Sequence, residues 1–518
     1  MSRGVFLTQV LAVFVGSAFS LFTIAVAPDI TQLEATQSDS AQFDFSQPDL
    51  SLTDLSLTDF TGPERDEHLS GGSATSLKSI NRNSFSHASQ NLKFDQELNF
   101  KVGNGIFRKI WVSAPASTVA SDGLGPLFNA KSCQRCHLKD GRGHPPQANW
   151  PEDNAVSMLL RLSIPAQSEQ DQAQLDSLQV SVIPEPTYGT QLQDFSIQGH
   201  KAEGYIQIEY EEIEVSLSEN ETVTLRKPSY SVVNLGYGPM HPETLFSARI
   251  APPMIGLGLL EMITEADILV QTDPEDRDSD GISGRAAWSR NASTQGLQLG
   301  RFGWKAGEPT LDHQNQVAFN GDIGLSTPIK SAPGGDCTSN QSLCLSAPSG
   351  DSLQYEDREV GQIMTDLVLF YTQNLAVPAR RNVGDEIVLA GKRLFYKSGC
   401  VACHKPSYVT GTDNNKKELS NQKIWPYTDL LLHDMGEGLA DNRSEGVANG
   451  REWRTSPLWG IGLTQTVNGH SQFLHDGRAR GFLEAILWHG GEAQSAKQKV
   501  VEMTAVQRQS LLAFLESL

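Results

Sequence analysis

The sequence predicts a mainly α-helical fold of two domains, with a small β insertion in the first. A short motif, Cys-x-x-Cys-His, occurs twice, beginning at Cys133 and at Cys400, and the two copies lie too far apart for one small domain. Apolar residues recur at helical spacing over residues 356–373 and 504–518. Residues 205–217 instead alternate apolar and polar side chains, and a polar turn follows, which predicts a β-hairpin.

The repeated motif is the signature of covalent haem c attachment. In each copy two thiols can form thioethers to one haem, and the adjacent histidine becomes an iron ligand. The residues are Cys133, Cys136 and His137 in the first copy and Cys400, Cys403 and His404 in the second. A redox pair or half of a zinc site is a weaker interpretation, because each copy carries its own histidine. The sequence therefore predicts two cytochrome c-like domains that hold one haem each.

The N-terminal part of the chain has the pattern of an export segment. Arg3 precedes an apolar run that ends at Ala27, so residues 1–27 form a cleaved signal peptide or an uncleaved membrane anchor. Export together with covalent haem attachment predicts the bacterial periplasm. Residues 28–76 are rich in Asp, Ser, Thr and Gln and predict a disordered acidic linker.

The rest of the chain divides at a loop. We expect the first haem domain over residues 77–325 and the second over 352–518, joined by a Pro-, Gly- and Ser-rich loop at 326–351. This loop holds the two cysteines that the haem motifs do not use, Cys337 and Cys344. In an oxidising compartment a close pair favours a disulfide, with free thiols or a regulatory pair as the alternatives.

The formal net charge of −20 argues against nucleic acid as a partner. The negative field could steer a small basic redox protein, although a solvated acidic surface accounts for the charge more simply. A weak internal repeat also links the two halves. Residues 251–259 resemble 455–463, with matching Pro-x-x-Gly-x-Gly positions, although Gly- and Leu-rich strings can match by chance.

Three motifs in the C-terminal half resemble those of bacterial di-haem cytochrome c peroxidases, in the same order. They are Tyr427-Thr-Asp-Leu-Leu-Leu-His-Asp-Met-Gly436, Trp453-Arg-Thr-Ser-Pro-Leu-Trp459 and Phe473-Leu-His-Asp-Gly-Arg478. The variants found here are more similar to the di-haem oxidoreductase family, whose members are also called thiol oxidoreductases. The resemblance covers about residues 100–518. It implies two haems, the first catalytic and the second the point of electron entry.

The resemblance also implies axial ligands for the irons. In related enzymes the distal ligand of the second haem follows the His-Asp-Gly motif, and this position falls on His489, so that His404 and His489 would bind the second iron. Met435 is the competing ligand, and the alternative for His489 is a helix-end histidine that interacts with the terminal carbonyls. The first iron has His137 on one side. His144 or His241 could bind its other side, although a surface role is the simpler interpretation for both.

A peroxidase site also needs an acid or base that moves a proton between the peroxide oxygens. Glu261 and Glu265 are the candidates, with two ordinary helix glutamates as the alternative. Trp304 is a candidate electron relay between the haems, with a packed core tryptophan as the alternative.

An acidic loop predicts a calcium site. Asp276, Asp278 and Asp280 alternate before Gly281, which resembles the first half of an EF-hand loop with the Ile282 carbonyl as a further ligand. The twelfth position is not glutamate, so the loop is not a true EF-hand, and a solvated acidic turn is the alternative. Related di-haem enzymes hold calcium between their haem domains.

These observations predict a periplasmic di-haem c-type oxidoreductase. We expect hydrogen peroxide to be reduced at the N-terminal haem, with electrons from a small redox protein entering through the C-terminal haem. Two alternatives remain open, namely an oxidase of a protein or organic substrate and a non-enzymatic electron-transfer cytochrome. The ligation of the first iron distinguishes them, because an open position favours an enzyme.

Overall fold

Short helices and short strands alternate along the chain. The computed structural model describes residues 60–154 and 156–518. The predicted export segment over residues 1–27 lies outside the described residues, as does the predicted linker from residue 28 to residue 59. Within the described ranges no helix has both the length and the apolar character needed to cross a membrane.

The described helices fall into a few long ones and many of one or two turns. The α-helices are α1 (Phe94–Phe107), α2 (Cys133–Cys136), α3 (Glu169–Asp176), α4 (Leu257–Glu261), α5 (Glu265–Leu269), α6 (Leu311–Ile323), α7 (Ser342–Leu345), α8 (Gln362–Gln373), α9 (Glu386–Lys397), α10 (Thr464–Asn468), α11 (Phe482–Trp488), α12 (Gln494–Glu502) and α13 (Ala505–Ser517). Short 3-10 helices span Gly72–Ala74, Leu138–Asp140, Ser218–Asn220, Leu353–Tyr355, Cys400–Ala402, Ile461–Leu463 and Gly491–Ala493.

The described strands are mostly two or three residues long. They are β1 (Leu127–Phe128), β2 (Met158–Ser163), β3 (Phe195–Ser196), β4 (Tyr205–Ser216), β5 (Thr222–Val233), β6 (Leu245–Ile250), β7 (Trp288–Arg290), β8 (Leu297–Leu299), β9 (Tyr408–Val409), β10 (Lys423–Ile424), β11 (Leu432–Asp434) and β12 (Glu452–Arg454).

The expectation of a mainly α fold made of two cytochrome c-like domains is wrong. Helices account for 29% of the structure and strands for 16%, and the described strands pair into several small two-stranded sheets. One of these sheets joins β2 to β6, two strands that are distant in the sequence. Strands of two or three residues leave no alternating pattern in a sequence, so the prediction had no signal for most of them.

The predicted β-hairpin is confirmed. Strands β4 and β5 pair antiparallel from Ser216 opposite Thr222 to Tyr205 opposite Val233. The second strand of the hairpin, β5, extends as far as Val233. The buried side chains of this hairpin, among them Ile206 and Ile208, belong to the same apolar core as the C-terminal helices.

Helices α1 and α8 cross at a glycine. A Cβ atom on Gly103 would lie 2.1 Å from the carbonyl oxygen of Leu367 and 2.7 Å from Cβ of Tyr371. A residue without a side chain is therefore needed for this close approach. One turn further along α1, Phe107 packs against the Tyr371 ring with centroids 5.3 Å apart.

Helices α9 and α13 cross in the same way. A Cβ atom on Gly391 would lie 1.9 Å from the carbonyl oxygen of Ser510 and 2.7 Å from Cβ of Phe514. One turn further along α9, Phe395 packs against the Phe514 ring with centroids 5.1 Å apart. Each haem motif thus follows a helix with the same glycine and phenylalanine spacing, which supports the duplication that the sequence suggested.

The two copies of the internal repeat pack against each other. Gly256 and Gly460 occupy matching positions and both have left-handed backbone conformations, with φ of 69° and 75°. A Cβ atom on Gly256 would lie 2.4 Å from the Trp459 ring, and one on Gly460 would lie 2.5 Å from Ile255. The repeat therefore forms a tight contact between the halves, which requires glycine on both sides.

The described end of the predicted disordered linker is ordered. Glu67 is 1% exposed and forms ion pairs with Arg380 and with Lys392, the latter at 2.9 Å. The carbonyl oxygen of Ser70 accepts a hydrogen bond from the backbone of Trp425 at 2.8 Å. Composition suggested disorder up to residue 76, but these long-range partners compensate for the scarcity of apolar residues.

The loop between the predicted domains carries the expected disulfide, which joins Cys337 to Cys344. All described residues fall within one compact unit. Helix α8, which the sequence analysis assigns to the second domain, packs against α1 and α6 of the first. The boundaries at 325 and 352 stay predictions, but the packing groups α8 with the first haem motif.

Candidate haem-binding sites

The first motif forms the one-turn helix α2, in which Cys133 and Cys136 are three residues apart and lie on the same face. Cys133 and Cys136 are free rather than joined in a disulfide. Burial raises the pKa of the Cys133 thiol to about 12 and that of Cys136 well above its ordinary value. Both are therefore neutral thiols, whereas a reactive redox pair contains at least one thiol of lowered pKa.

His137 is held by its Nδ1 atom. This nitrogen lies 2.8 Å from the carbonyl oxygen of Pro252, and the ring centroid lies 6.2 Å from that of Phe107. Burial lowers the pKa of His137 to about 4, which keeps the imidazole neutral. A neutral ring fixed through Nδ1 presents Nε2 to a metal, which is the usual arrangement of an iron-binding histidine.

A large cavity opens beside the first motif. Cys133, Cys136 and His137 line it, and the empty space there is about 1570 Å³ when the open solvent at its mouth is counted. The two thiols, the fixed histidine and the space beside them fit a covalently attached haem.

Of the three predicted catalytic residues, only Trp304 lines the cavity. Trp304 is 8% exposed and donates a hydrogen bond from Nε1 to the carbonyl oxygen of Ile250 at 2.9 Å. Glu261 is not among the lining residues, because its carboxylate accepts hydrogen bonds from the backbone of Leu311 at 2.9 Å and from Gln373 at 2.6 Å. Glu265 is exposed at the start of α5.

The two histidines suggested as further ligands of the first iron lie elsewhere. Nδ1 of His144 lies 2.7 Å from the carbonyl oxygen of Pro145, and the His144 ring packs against that of His470. His241 accepts a hydrogen bond from the backbone of Glu243 at 3.2 Å. Among the described residues that line the cavity, His137 is the only histidine.

Asp322 and Arg142 are two of the charged residues that line the cavity, and the sequence did not predict them as site residues. Asp322, on α6, is the only carboxylate among the described lining residues, and burial raises its pKa. Arg142 follows the first motif and is 6% exposed. Neither belongs to a recognisable motif of ligands or acids, and their positions become evident only when α6 and the motif are brought together.

The second motif repeats the geometry of the first. Cys400 and Cys403 are free, and burial raises the pKa of both thiols. Nδ1 of His404 lies 3.0 Å from the carbonyl oxygen of Tyr427, and the ring centroid lies 6.1 Å from that of Phe395. The two thiols and the fixed histidine therefore fit a second haem.

His489 lies near the second motif, as the sequence predicted. It follows α11, and its Nδ1 lies 2.7 Å from the carbonyl oxygen of Ala485. Burial, and to a lesser extent the proximity of His489, lowers the pKa of His404 to about 4. Met435 packs on the same apolar cluster as Cys400. Both candidate ligands are thus in this region, and the assignment to His489 stays a prediction.

A buried histidine, His433, lies beside Cys403 and contacts two carboxylates; the sequence did not predict a role for it. His433 is 2% exposed; its Nε2 lies 2.8 Å from a carboxylate oxygen of Asp429 and its Nδ1 lies 2.6 Å from one of Glu492. The Cys403 sulfur lies 3.6 Å from Nδ1. Cys403, Asp429 and His433 could together hold a metal ion, but the sequence motif predicts that this cysteine attaches a haem.

Aromatic rings extend from the first cavity towards the second half. The Trp304 ring centroid lies 6.4 Å from that of His475, and His475 stacks on Trp453 with centroids 3.8 Å apart. Nε1 of Trp453 donates to the carbonyl oxygen of Leu439 at 2.9 Å. This continuous contact is compatible with the predicted relay role of Trp304.

The predicted calcium ligands lie together in the acidic loop. Carboxylate oxygens of Asp276, Asp278 and Asp280 lie within 4.8 Å of one another. The backbone nitrogen of Gly281 donates to Asp276 at 3.1 Å, and that of Ile282 donates to Asp280 at 2.8 Å. Burial and then the adjacent carboxylates raise the pKa of Asp280. Oxygen donors at this spacing suit calcium.

Known proteins were compared with this chain in three ways. A family model described as "Di-haem oxidoreductase, putative peroxidase" matches residues 65–518. A solved chain of hydrazine synthase from Kuenenia stuttgartiensis, pressurized with 20 bar xenon, is 12% identical over 69% of this chain and 89% of that chain, with a TM-score of 0.26. A score this low supports no structural argument. A search of curated proteins gave no significant match.

Proposed function

The chain belongs to the di-haem oxidoreductase family, and from that membership and the two motifs we propose that it is a periplasmic di-haem c-type peroxidase. It reduces hydrogen peroxide at the N-terminal haem, with electrons from a small redox protein entering through the C-terminal haem. Two electrons and two protons convert one peroxide into two waters. The protein must therefore position two haems, leave one iron accessible, and deliver protons.

The haems are bound covalently in this proposal. Cys133 and Cys136 attach the first and Cys400 and Cys403 the second, with His137 and His404 as iron ligands. Each haem, when bound, supplies an iron that exchanges single electrons. The Nδ1 contacts of both histidines with backbone carbonyls support these roles, because they fix the rings with Nε2 available.

One observation supports the peroxidase proposal most strongly. His137 is the only histidine among the described residues of the first cavity, whereas the second motif has His489 beside His404. This asymmetry favours an accessible first iron and a fully ligated second iron. An electron-transfer cytochrome has two strong ligands at each iron.

Protons and electrons reach the first cavity through different residues. Glu261 and Glu265 stay predictions from the family resemblance, but Asp322 is the carboxylate that lines the cavity, and its raised pKa suits a proton donor. Trp304, with His475 and Trp453 stacked behind it, is the proposed relay for electrons.

Calcium and the cellular location complete the proposal. We assign calcium to Asp276, Asp278, Asp280 and the Ile282 carbonyl, since the three carboxylates lie close together. The apolar N-terminal run supports export to the periplasm, either as a cleaved signal or as an anchor in the inner membrane. The net charge of −20 supports a basic redox protein as partner rather than nucleic acid.

Anaerobic mixing with peroxide tests this function. The fully reduced protein stores two electrons, so one equivalent of hydrogen peroxide should oxidise both haems, as followed by the visible spectrum. The His144→Ala variant is the matched control and should behave as the wild type, because His144 does not line the cavity. If peroxide leaves the reduced protein unchanged, the peroxidase proposal is rejected and an electron-transfer cytochrome becomes the better account.

A further inference from the structure

The first cavity contains an excess of arginine. Five arginines line it, together with a single carboxylate, that of Asp322, among the described lining residues: Arg142, Arg161, Arg249, Arg301 and Arg454. A cavity of this composition is strongly cationic. Removing a charge from water is unfavourable unless the group is paired or fully hydrogen-bonded.

Protein groups already satisfy three of these arginines. Arg249 forms an ion pair with Glu445 at 2.9 Å. Arg301 donates to backbone carbonyl oxygens at the end of α4, including that of Leu260 at 3.1 Å. Arg454 donates to the carbonyl oxygens of Gly303 and Thr455, at 3.0 and 2.9 Å. These side chains therefore have structural roles at the cavity wall.

Of the other two, Arg161 is only half-buried, whereas Arg142 is buried. It is 6% exposed, its Nε has no hydrogen-bond partner, and its guanidinium makes one long hydrogen bond, 3.4 Å, to the carbonyl oxygen of Leu474. No described carboxylate lies within ion-pair distance of it. Its other close neighbours are the rings of Trp304 and Phe473, with centroids 5.8 and 5.5 Å away. Burial lowers its pKa to about 10, so the group is still charged at neutral pH.

We propose that Arg142 is the anion-binding residue of the first cavity and holds a carboxylate or small oxyanion beside the Trp304 ring. A guanidinium offers a planar pair of donors that matches a carboxylate, and a buried guanidinium without a protein partner is stabilised by such a ligand. The anion comes from one of two sources, either a propionate carboxylate of the haem or a free small oxyanion such as acetate that enters the cavity.

The proposal depends on attachment of a haem at Cys133 and Cys136, but it does not depend on peroxide turnover. Loss of the haem would be visible in a haem-stained gel, and failure to reduce peroxide would leave the anion site intact. The two proposals can therefore fail separately.

The Arg142→Met variant of the holoprotein provides the test, with Arg82→Met, at an exposed position outside the cavity lining, as the control. The readouts are the reduction potentials of both haems and the affinity for acetate, from a spectral titration. If the anion is a propionate, one potential falls by about 59 mV or more, a tenfold change in the equilibrium, and acetate binding is unchanged. If the anion is free, acetate affinity falls at least tenfold at unchanged potentials.

Unchanged potentials together with unchanged acetate binding in Arg142→Met would overturn the proposal. If this variant does not retain haem, Arg142→Lys replaces it. Lysine keeps the charge but loses the planar pair of donors. We therefore expect either a severalfold lower acetate affinity or a shift in one of the two reduction potentials. A lysine variant identical to the wild type in both readouts would also overturn the proposal.

Discussion

At the scale of single residues, His137, His404 and His489 share an arrangement that His144 also shows. Nδ1 of His137, His404 and His489 each lies within 3.0 Å of a backbone carbonyl oxygen. The carbonyl oxygens belong to Pro252, to Tyr427 and, for His489, to Ala485 in the middle of α11. A ring fixed in this way loses little rotational freedom when a metal binds its Nε2, and the proximity of His489 to His404 is the further reason to treat it like the two motif histidines.

Replacement of His489 by alanine should remove one iron ligand. Imidazole is a stronger ligand for ferric iron than a thioether, so we expect one haem to change from low-spin to high-spin or water-bound, with unchanged haem content. Electron delivery from a reduced donor should slow. Met435→Leu is the matched control and should leave the visible spectrum unchanged. If the spectrum changes in Met435→Leu and not in His489→Ala, methionine is the ligand.

At the scale of elements, each haem motif depends on a pair of crossed helices. Gly103 allows α1 to approach α8, and Gly391 allows α9 to approach α13. The phenylalanine one turn later in each first helix contacts the motif histidine. Helix packing therefore determines where the ring of each motif histidine lies.

Alanine at position 103 should destabilise the protein. The new Cβ would lie 2.1 Å from a carbonyl oxygen, and such overpacking costs about 1–3 kcal/mol. Gly105 lies in the same helix, and a Cβ atom added there would meet no other atom within 4 Å, so Gly105→Ala is the matched control and should stabilise by about 0.5–1 kcal/mol. Denaturant unfolding measures both. Equal effects of the two substitutions would contradict the proposed helix contact.

The acidic loop is connected to the second haem motif through Glu492. Ser283, at the end of the loop, donates to this carboxylate from its backbone at 3.1 Å and from its hydroxyl at 2.6 Å. Glu492 also contacts His433, which lies beside Cys403. A structural change in the loop can therefore be transmitted to the second haem motif through the side chains of Glu492 and His433.

Removal of calcium should alter the second haem. Without the cation, the carboxylates of Asp276, Asp278 and Asp280 repel one another and the loop should rearrange. We expect a chelator to shift the visible spectrum or lower the melting temperature, and the Asp278→Asn, Asp280→Asn double variant to show the same change without chelator. The double variant should then be insensitive to chelator. No bound metal by elemental analysis would reject the site.

At the scale of the whole molecule, the two halves are variations of one plan. Both contain a glycine at which two helices cross, a phenylalanine one turn after it, a Cys-x-x-Cys-His motif and a copy of the internal repeat. The first half has a cavity in which His137 is the only described histidine, and the second has His489. The difference between the halves, rather than their similarity, supports different roles for the two irons.

The protein should carry two covalent haems. Thioether bonds survive denaturation, so a haem-stained denaturing gel should keep its signal. The Cys133→Ala, Cys136→Ala double variant should keep half of the haem, and the corresponding variant at Cys400 and Cys403 should do the same. Complete loss of haem from the denatured wild type would contradict covalent attachment.

The sequence predicted the features that depend on local patterns. The two motifs, the long hairpin and the disulfide needed only neighbouring residues, and the family resemblance was confirmed over residues 65–518. The short strands could not be predicted, because two or three residues leave no alternating pattern. Asp322 was missed because only folding brings α6 to the first motif, and Arg142 was missed because nothing in the sequence showed that it is buried with few partners.

The ligation of the two irons is the central claim, and low-temperature spin-state spectroscopy tests it most directly. The measurement should be made on the oxidised and the half-reduced protein. We predict one low-spin iron with two strong ligands and one iron that is high-spin or bound by water or another weak ligand in at least one of these states. Two low-spin irons with two strong protein ligands each, in both states, would contradict the account.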